Sequence, residues 1–213
     1  MNAFSMAFPN CAVRGCYFHL CQSVLRKVGE IGLKQQYETG DVVRGCVRCL
    51  AALAFVPPDD VIEAFNLLAE SMPPGNDLLD DLVTFFKETY VRGRRQRGRG
   101  EAYSAALFPV PLWNQHAGAT DGIARTTNSA ESWHHGLQSL FQCHHPTLWS
   151  FLAGLQKDMR KQTGTYLQGV SGVEHISAKT YRKLNRRVQL AVAAYGRADV
   201  LTYLRAMEHI SHK

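Results

Sequence analysis

The sequence has no apolar run near the roughly 20 residues that a helix needs to cross a bilayer. Its longest, Cys49 to Pro58, is about half that length. This argues against a membrane-spanning helix and against the membrane as a partner. The first twenty residues contain no basic segment followed by an apolar stretch, so no secretory signal is read there. Without such a signal the six cysteines (Cys11, Cys16, Cys21, Cys46, Cys49 and Cys143) are expected to be reduced thiols of an intracellular protein. No internal repeat is present, which argues against a solenoid. Acidic residues are missing where the chain starts: residues 1–15 contain neither Asp nor Glu.

What remains is the composition of a folded chain. Of 213 residues, 46% are apolar and 20% charged. The charge is unevenly placed. Residues 1–91 carry 7 Lys/Arg against 11 Asp/Glu, whereas residues 92–213 carry 17 against 7. A basic half suits a polyanionic partner, although net charge alone is not specific. Two segments concentrate it. Arg92 to Gly100 holds Arg92, Arg94, Arg95, Arg97 and Arg99 among glycines. It reads as a flexible loop, and equally as a phosphate-contacting arm. Lys179, Arg182, Lys183, Arg186 and Arg187 fall at helical spacing and predict a basic helix face.

The patterning predicts about eight helices and one strand. Ala12 to Phe18 is β-prone and follows a Pro-Asn turn, so a strand is expected there. Helical spacing then runs from Gln22, from Asp41 to about Phe55, from Asp59 (a candidate cap) with Val61, Ile62, Ala64, Phe65 and Leu68 inward, and from Asp77 to about Val91. Phe108 to Asn114 reads as an extended apolar anchor, because Pro109 and Pro111 oppose a helix. A helix is expected after Pro146 to about Thr165, with Trp149, Leu152, Leu155 and Met159 inward, then a loop over Gly164 to Ser177. Lys179 to Tyr195 and Asp199 to His212 complete the chain as helices. Cys46 and Cys49 have metal or redox spacing, yet they fall in the apolar stripe Val43, Cys46, Val47, Leu50, Ala54 and read first as packing residues.

Two short patterns carry chemistry. Thr126-Thr-Asn-Ser-Ala-Glu-Ser-Trp-His-His135 places Glu131 three residues after Asn128, which is the pattern of a capping box. The same carboxylate, in the first turn of an amphipathic helix, is a candidate ligand for a divalent metal, with His135 one turn further along. Gly15-Cys16-Tyr17-Phe18-His19 supplies a Cys-x-x-His pair, which alone is two ligands short of a structural zinc site.

In order along the chain stand Gly15-Cys-Tyr-Phe-His-Leu-Cys-Gln22, Leu53-Ala-Phe-Val-Pro57, Phe108-Pro-Val-Pro-Leu-Trp-Asn114, Arg125-Thr-Thr-Asn-Ser-Ala-Glu-Ser-Trp-His134 and His145-Pro-Thr-Leu-Trp149. Together they resemble the C-terminal half of a Mutator-like element (MULE) DNA transposase over about residues 1–162. The resemblance implies a ribonuclease-H-like core interrupted by a helical insertion, two-metal phosphodiester transfer with Mg²⁺ or Mn²⁺, a DNA partner and a nuclear location. It identifies Glu131 with the family's glutamate and Cys16 and His19 with its Cys-x-x-His signature; the family's two aspartates have no counterpart upstream of Cys16 in this sequence. The expected fold is therefore mainly α with a partial ribonuclease-H-like α/β core. Residues 1–21 would be a core remnant, 22–107 the insertion with its Arg-rich loop at 92–100, 108–165 the part carrying the glutamate helix, and 166–213 a basic helical tail. The expected function is that of a transposase-derived protein, catalytically incomplete by itself, with no stably bound metal and with self-association through the exposed strand. The alternative is a domesticated, non-catalytic module that binds nucleic acid or protein.

Overall fold

Tyr17, Leu20, Val24 and Val28 recur at three- and four-residue intervals, and all four are buried along one face of helix α1 (Tyr17–Glu30). The structure is a computed structural model. It describes residues 6–9, 11, 13–95, 103–122, 128–141, 143, 145–172 and 179–211; at 128–132, 179 and 180 the description stops at the backbone. The chain is mainly α. After α1 come α2 (Lys34–Thr39), α3 (Asp41–Ala52), α4 (Val61–Glu70) and α5 (Asp77–Phe86), the last extended by a π-helical turn over Lys87–Val91. Then follow α6 (Val110–Trp113), α7 (His116–Thr120), α8 (Asn128–Phe141), α9 (Leu148–Val170), α10 (Lys179–Ala193) and α11 (Val200–Ser211). Among the described residues β pairing is limited to one antiparallel bridge, between Arg95 and Tyr103.

The chain divides into two units. Met1–Arg125 with Lys183–Lys213 forms the first, and Thr126–Arg182 forms the second. The longest apolar run of the sequence lies at the heart of the first. α3 tightens into a 3₁₀ turn over Leu53–Phe55, and every residue from Cys49 to Val56 is buried. Pro57 and Pro58 end it, because proline cannot continue the hydrogen-bond ladder. α11 lies across α3 and buries Leu204 and Met207 fully. The Arg48 guanidinium donates to the buried Glu208 carboxylate at 3.2 Å, and the Tyr203 hydroxyl donates to the Phe55 carbonyl at 2.7 Å. Cys49 is buried and Cys46 half-buried in this core, as the packing reading requires. Burial first, and the Glu208 carboxylate second, push the Cys49 thiol up to about 12.

Several expectations are corrected. The strand over Ala12–Phe18 does not form. Residues 13–16 carry no regular structure, and Tyr17 and Phe18 already belong to α1. The helical recurrence of Tyr17 with Leu20 and Val24 outweighs their β propensity. Self-association through that strand's edge therefore loses its edge. α1 begins five residues earlier than Gln22. Asp59 caps nothing: it sits in a 3₁₀ turn, Pro58–Asp60, and the N-cap position of α4 is Asp60, which makes no side-chain cap bond. Ile62 is exposed, one position off the Val61, Ala64, Phe65, Leu68 stripe. Val110–Trp113 is a helical turn rather than extended, since Pro109 is its N-cap and Pro111 lies in its first turn, where a missing N–H costs nothing.

In the second unit α9 runs to Val170, well past the expected loop start at Gly164. Trp149 is 79% and Met159 67% exposed, and Leu152 is exposed too, so of the stripe expected inward only Leu155 is half-buried. The buried position is Asp158, 7% exposed. α9 packs on α8 through Phe141 and Phe151, whose rings stack at 5.5 Å, and through Asp158, which accepts from the Trp133 indole N–H at 2.8 Å.

Candidate functional site

Three of the five segments behind the family resemblance meet in the first unit. The backbone N–H of Gly15 donates to the Leu112 carbonyl at 2.6 Å, and the Gln115 side-chain amide donates to the Gly15 carbonyl at 2.8 Å. The Asn114 side-chain amide donates to the Val56 carbonyl at 2.8 Å, and the Gln115 backbone N–H to the Ala54 carbonyl at 2.7 Å. Trp113 donates its indole N–H to the Tyr90 carbonyl at 2.9 Å. The Tyr17 ring packs on Phe55 with centroids 4.9 Å apart. Asn114 and Gln115 are buried, and these bonds satisfy them. In each of these three segments a conspicuous residue has a structural role here: a polar group pairing with a core carbonyl, or an aromatic ring filling the space beside it.

Their junction leaves a cleft of about 390 Å³. Cys16 and His19, at the N-cap and third position of α1, both line it. Arg14, Gln22, Ser23 and Arg26 continue the polar wall, and Tyr90, Phe108, Leu112 and Trp113 form the apolar one. No Asp or Glu lines the cleft. The Tyr90 hydroxyl donates to Ser23 Oγ at 2.7 Å, and burial raises its pKa above the ordinary phenol value. His19 is exposed and Cys16 half-buried. Spacing could have revealed part of this wall: His19, Gln22, Ser23 and Arg26 follow one another at i, i+3, i+4 and i+7. Arg14 and the aromatic wall come from elsewhere in the chain, and no local pattern announces them.

Helix α10 carries the basic face. Arg182, Lys183, Arg186 and Arg187 are exposed, and the Lys179 side chain lies outside the described residues. Val188 and Val192 are buried on the opposite side. Lys179–Ala193 contains no acidic residue, and among the described residues none of these four cations pairs with a carboxylate.

Within the arginine segment, Arg92, Arg94 and Arg95 are described. Arg92 is half-buried, donates to Asn66 Oδ1 at 3.2 Å and lies over the Tyr103 ring at 4.7 Å. Its Nε is buried without a partner. Gly93 and Arg94 pair through their backbones with Ser104, and Arg94 Nε donates to Glu88 at 2.9 Å. Arg95 pairs its backbone with Tyr103. The flexible-loop reading therefore fails for Arg92 to Arg95, where two antiparallel carbonyl–amide bonds and a cation–π contact hold the backbone. Arg97 and Arg99 lie outside the described residues.

Glu131 and Asn128 sit in the first turn of α8 as expected, but their side chains lie outside the described residues, as does the capping pattern itself. His135 is exposed one turn further along. In the same unit, sequence reasoning missed Asp158, whose two oxygens accept from Trp133 and Gln162. Among the described residues no three His, Cys, Asp or Glu side chains converge as metal ligands would. The described side chains offer no set of converging carboxylates for the implied Mg²⁺ or Mn²⁺, and the Glu131 side chain lies outside them.

No family model, curated protein or solved structure matches this chain.

Proposed function

We propose that this chain is a non-catalytic nucleic-acid-binding module of Mutator-like transposase ancestry, acting in the nucleus by holding DNA. The observation that carries the reading is the face of α10: four exposed cations on one helix, with no acid on that helix and an apolar back anchored in the core. Such a face neutralises phosphates without reading bases, because Lys and Arg on a surface match backbone charge rather than base edges. The ordered motifs from Gly15 to Trp149 support the ancestry. A ribonuclease-H-like origin of the core belongs to this proposal, with the helices between Tyr17 and Val91 as the insertion.

Phosphodiester transfer by this chain alone is not part of the reading. Two-metal chemistry needs several carboxylates on one pair of ions, and Mg²⁺ keeps its waters unless they are well placed. Glu131 would be one carboxylate. Asp158, the acid of the same unit whose side chain is described, already accepts from Trp133 and Gln162. The test joins two assays on the purified chain. A gel shift with duplex DNA at low salt is expected to show binding, and a strand-transfer assay with Mn²⁺ or Mg²⁺ is expected to show no product above background. Turnover would overturn the non-catalytic part, and absence of any shift would overturn the binding part.

A further inference from the structure

The cleft at the start of α1 shares no residue with the α10 face. Its volume, about 390 Å³, falls in the range of roughly 300–1,000 Å³ typical of small-molecule sites. One wall is cationic and polar: Arg14 and Arg26, both exposed, line it with His19, and no carboxylate lines the cleft. The other wall is aromatic. Phe108 is 38% exposed and stacks on Tyr90 with centroids 5.7 Å apart. The polar atoms of that wall already have protein partners, since Tyr90 donates to Ser23 and Trp113 donates to the Tyr90 carbonyl. What the wall offers a ligand is therefore ring surface. The backbone bond from Gly15 to Leu112 ties the two walls together.

We infer that this cleft binds a nucleoside monophosphate unit, its base against Phe108 and its phosphate between Arg14 and Arg26. An apolar ligand would leave the arginines without a counter-charge. An inorganic anion would leave the aromatic wall uncovered. A phosphorylated heteroaromatic group satisfies both walls, through stacking on one side and charge-assisted hydrogen bonds on the other. The unit comes either as a free nucleotide or as the phosphorylated end of a single strand. The inference is independent of duplex binding by α10, which uses none of these residues.

The experiment is calorimetric titration of the full chain in which Arg182, Lys183, Arg186 and Arg187 are all changed to Gln, so that the α10 face contributes nothing. Deoxyadenosine 5′-monophosphate is expected to bind at least about tenfold more tightly than either deoxyadenosine or inorganic phosphate, and Arg26→Gln, Arg14→Gln and Phe108→Ala are each expected to weaken it by about tenfold. Arg14 and Arg26 are exposed, so an unchanged thermal melt separates lost binding from lost folding. A 5′-phosphorylated tetranucleotide binding more tightly than its 5′-hydroxyl counterpart and than the mononucleotide assigns the site to a strand end; equal or tighter binding of the mononucleotide assigns it to a free nucleotide. Absence of a titration with either phosphorylated ligand overturns the inference, as does equal affinity for inorganic phosphate, or binding indifferent to Phe108 and both arginines.

Discussion

At the scale of single residues, Gly93 has no room for a side chain. A Cβ there would collide with the Ser104 side chain and with the backbone carbonyls of Ser104 and Ala105, and backbone cannot rotate away as a side chain does. Gly93→Ala should lower stability by about 1–3 kcal/mol, read as a shift in denaturant midpoint. His116 gives a pH signature. Burial lowers its pKa from the ordinary 6.5, with Asp60 opposing. The unfolded chain then binds the proton more readily than the folded one. Stability is full above about pH 6.5 and declines as pH falls from there towards the lower folded value. A melting series over that window should slope down towards acid, and His116→Gln should flatten that part of the slope; an unchanged slope would remove His116 as its source. In the second unit Asp158→Ala should cost about 1–3 kcal/mol, because the part-buried hydrogen bond from the Trp133 indole to the carboxylate is lost. None of these three residues stands out by pattern. Gly93 depends on Ser104 and Asp158 on Trp133, partners that only folding supplies.

Among the elements, the longer helices of the first unit were legible from spacing and punctuation. Asp41 to Phe55 and Asp77 to Val91 fall where apolar periodicity and the prolines put them, the second finishing in a π turn. Asn76 caps α5, accepting from the Leu79 N–H at 3.2 Å, and its amide donates to Gln36 at 2.7 Å. Asn76→Ala should therefore cost about 1–2 kcal/mol in thermal or chemical unfolding. The failures have a common cause, that short-range preference was read where tertiary packing decided. Tyr17 and Phe18 are β-prone, yet Tyr17 is buried against Phe55 only as part of a helix. Pro111 was read as a helix breaker, yet it stands in a first turn, where proline is tolerated. In α9 the apolar stripe is real, but α8 meets the helix on the side of Asp158 and Phe151. The candidate site was legible only as fragments. Cys16 and His19 were visible as a pair, whereas the aromatic wall that faces them lies some seventy to ninety-five residues away in sequence.

For the molecule as a whole, an acidic first stretch and a basic remainder were readable from composition, and the exposed face of α10 gives the basic part a definite location. The mainly α class was legible too, although a sheet remnant was expected and none forms among the described residues. The core that supports α10 rests on Phe55, Leu50 and Leu204, all fully buried. Phe55→Ala should cost about 3–5 kcal/mol, which would put a marginal chain close to unfolding at ordinary temperature. The central claim concerns the charge displayed by that scaffold. It is tested most directly by measuring duplex-DNA affinity against salt for the native chain and for the variant with Arg182, Lys183, Arg186 and Arg187 changed to Gln. Each neutralised phosphate contributes about −0.9 to the logarithmic salt slope, so the native chain should bind with a steep slope and the variant should lose about 3 to 4 of it. Equal affinities and equal slopes for the two proteins would contradict the account.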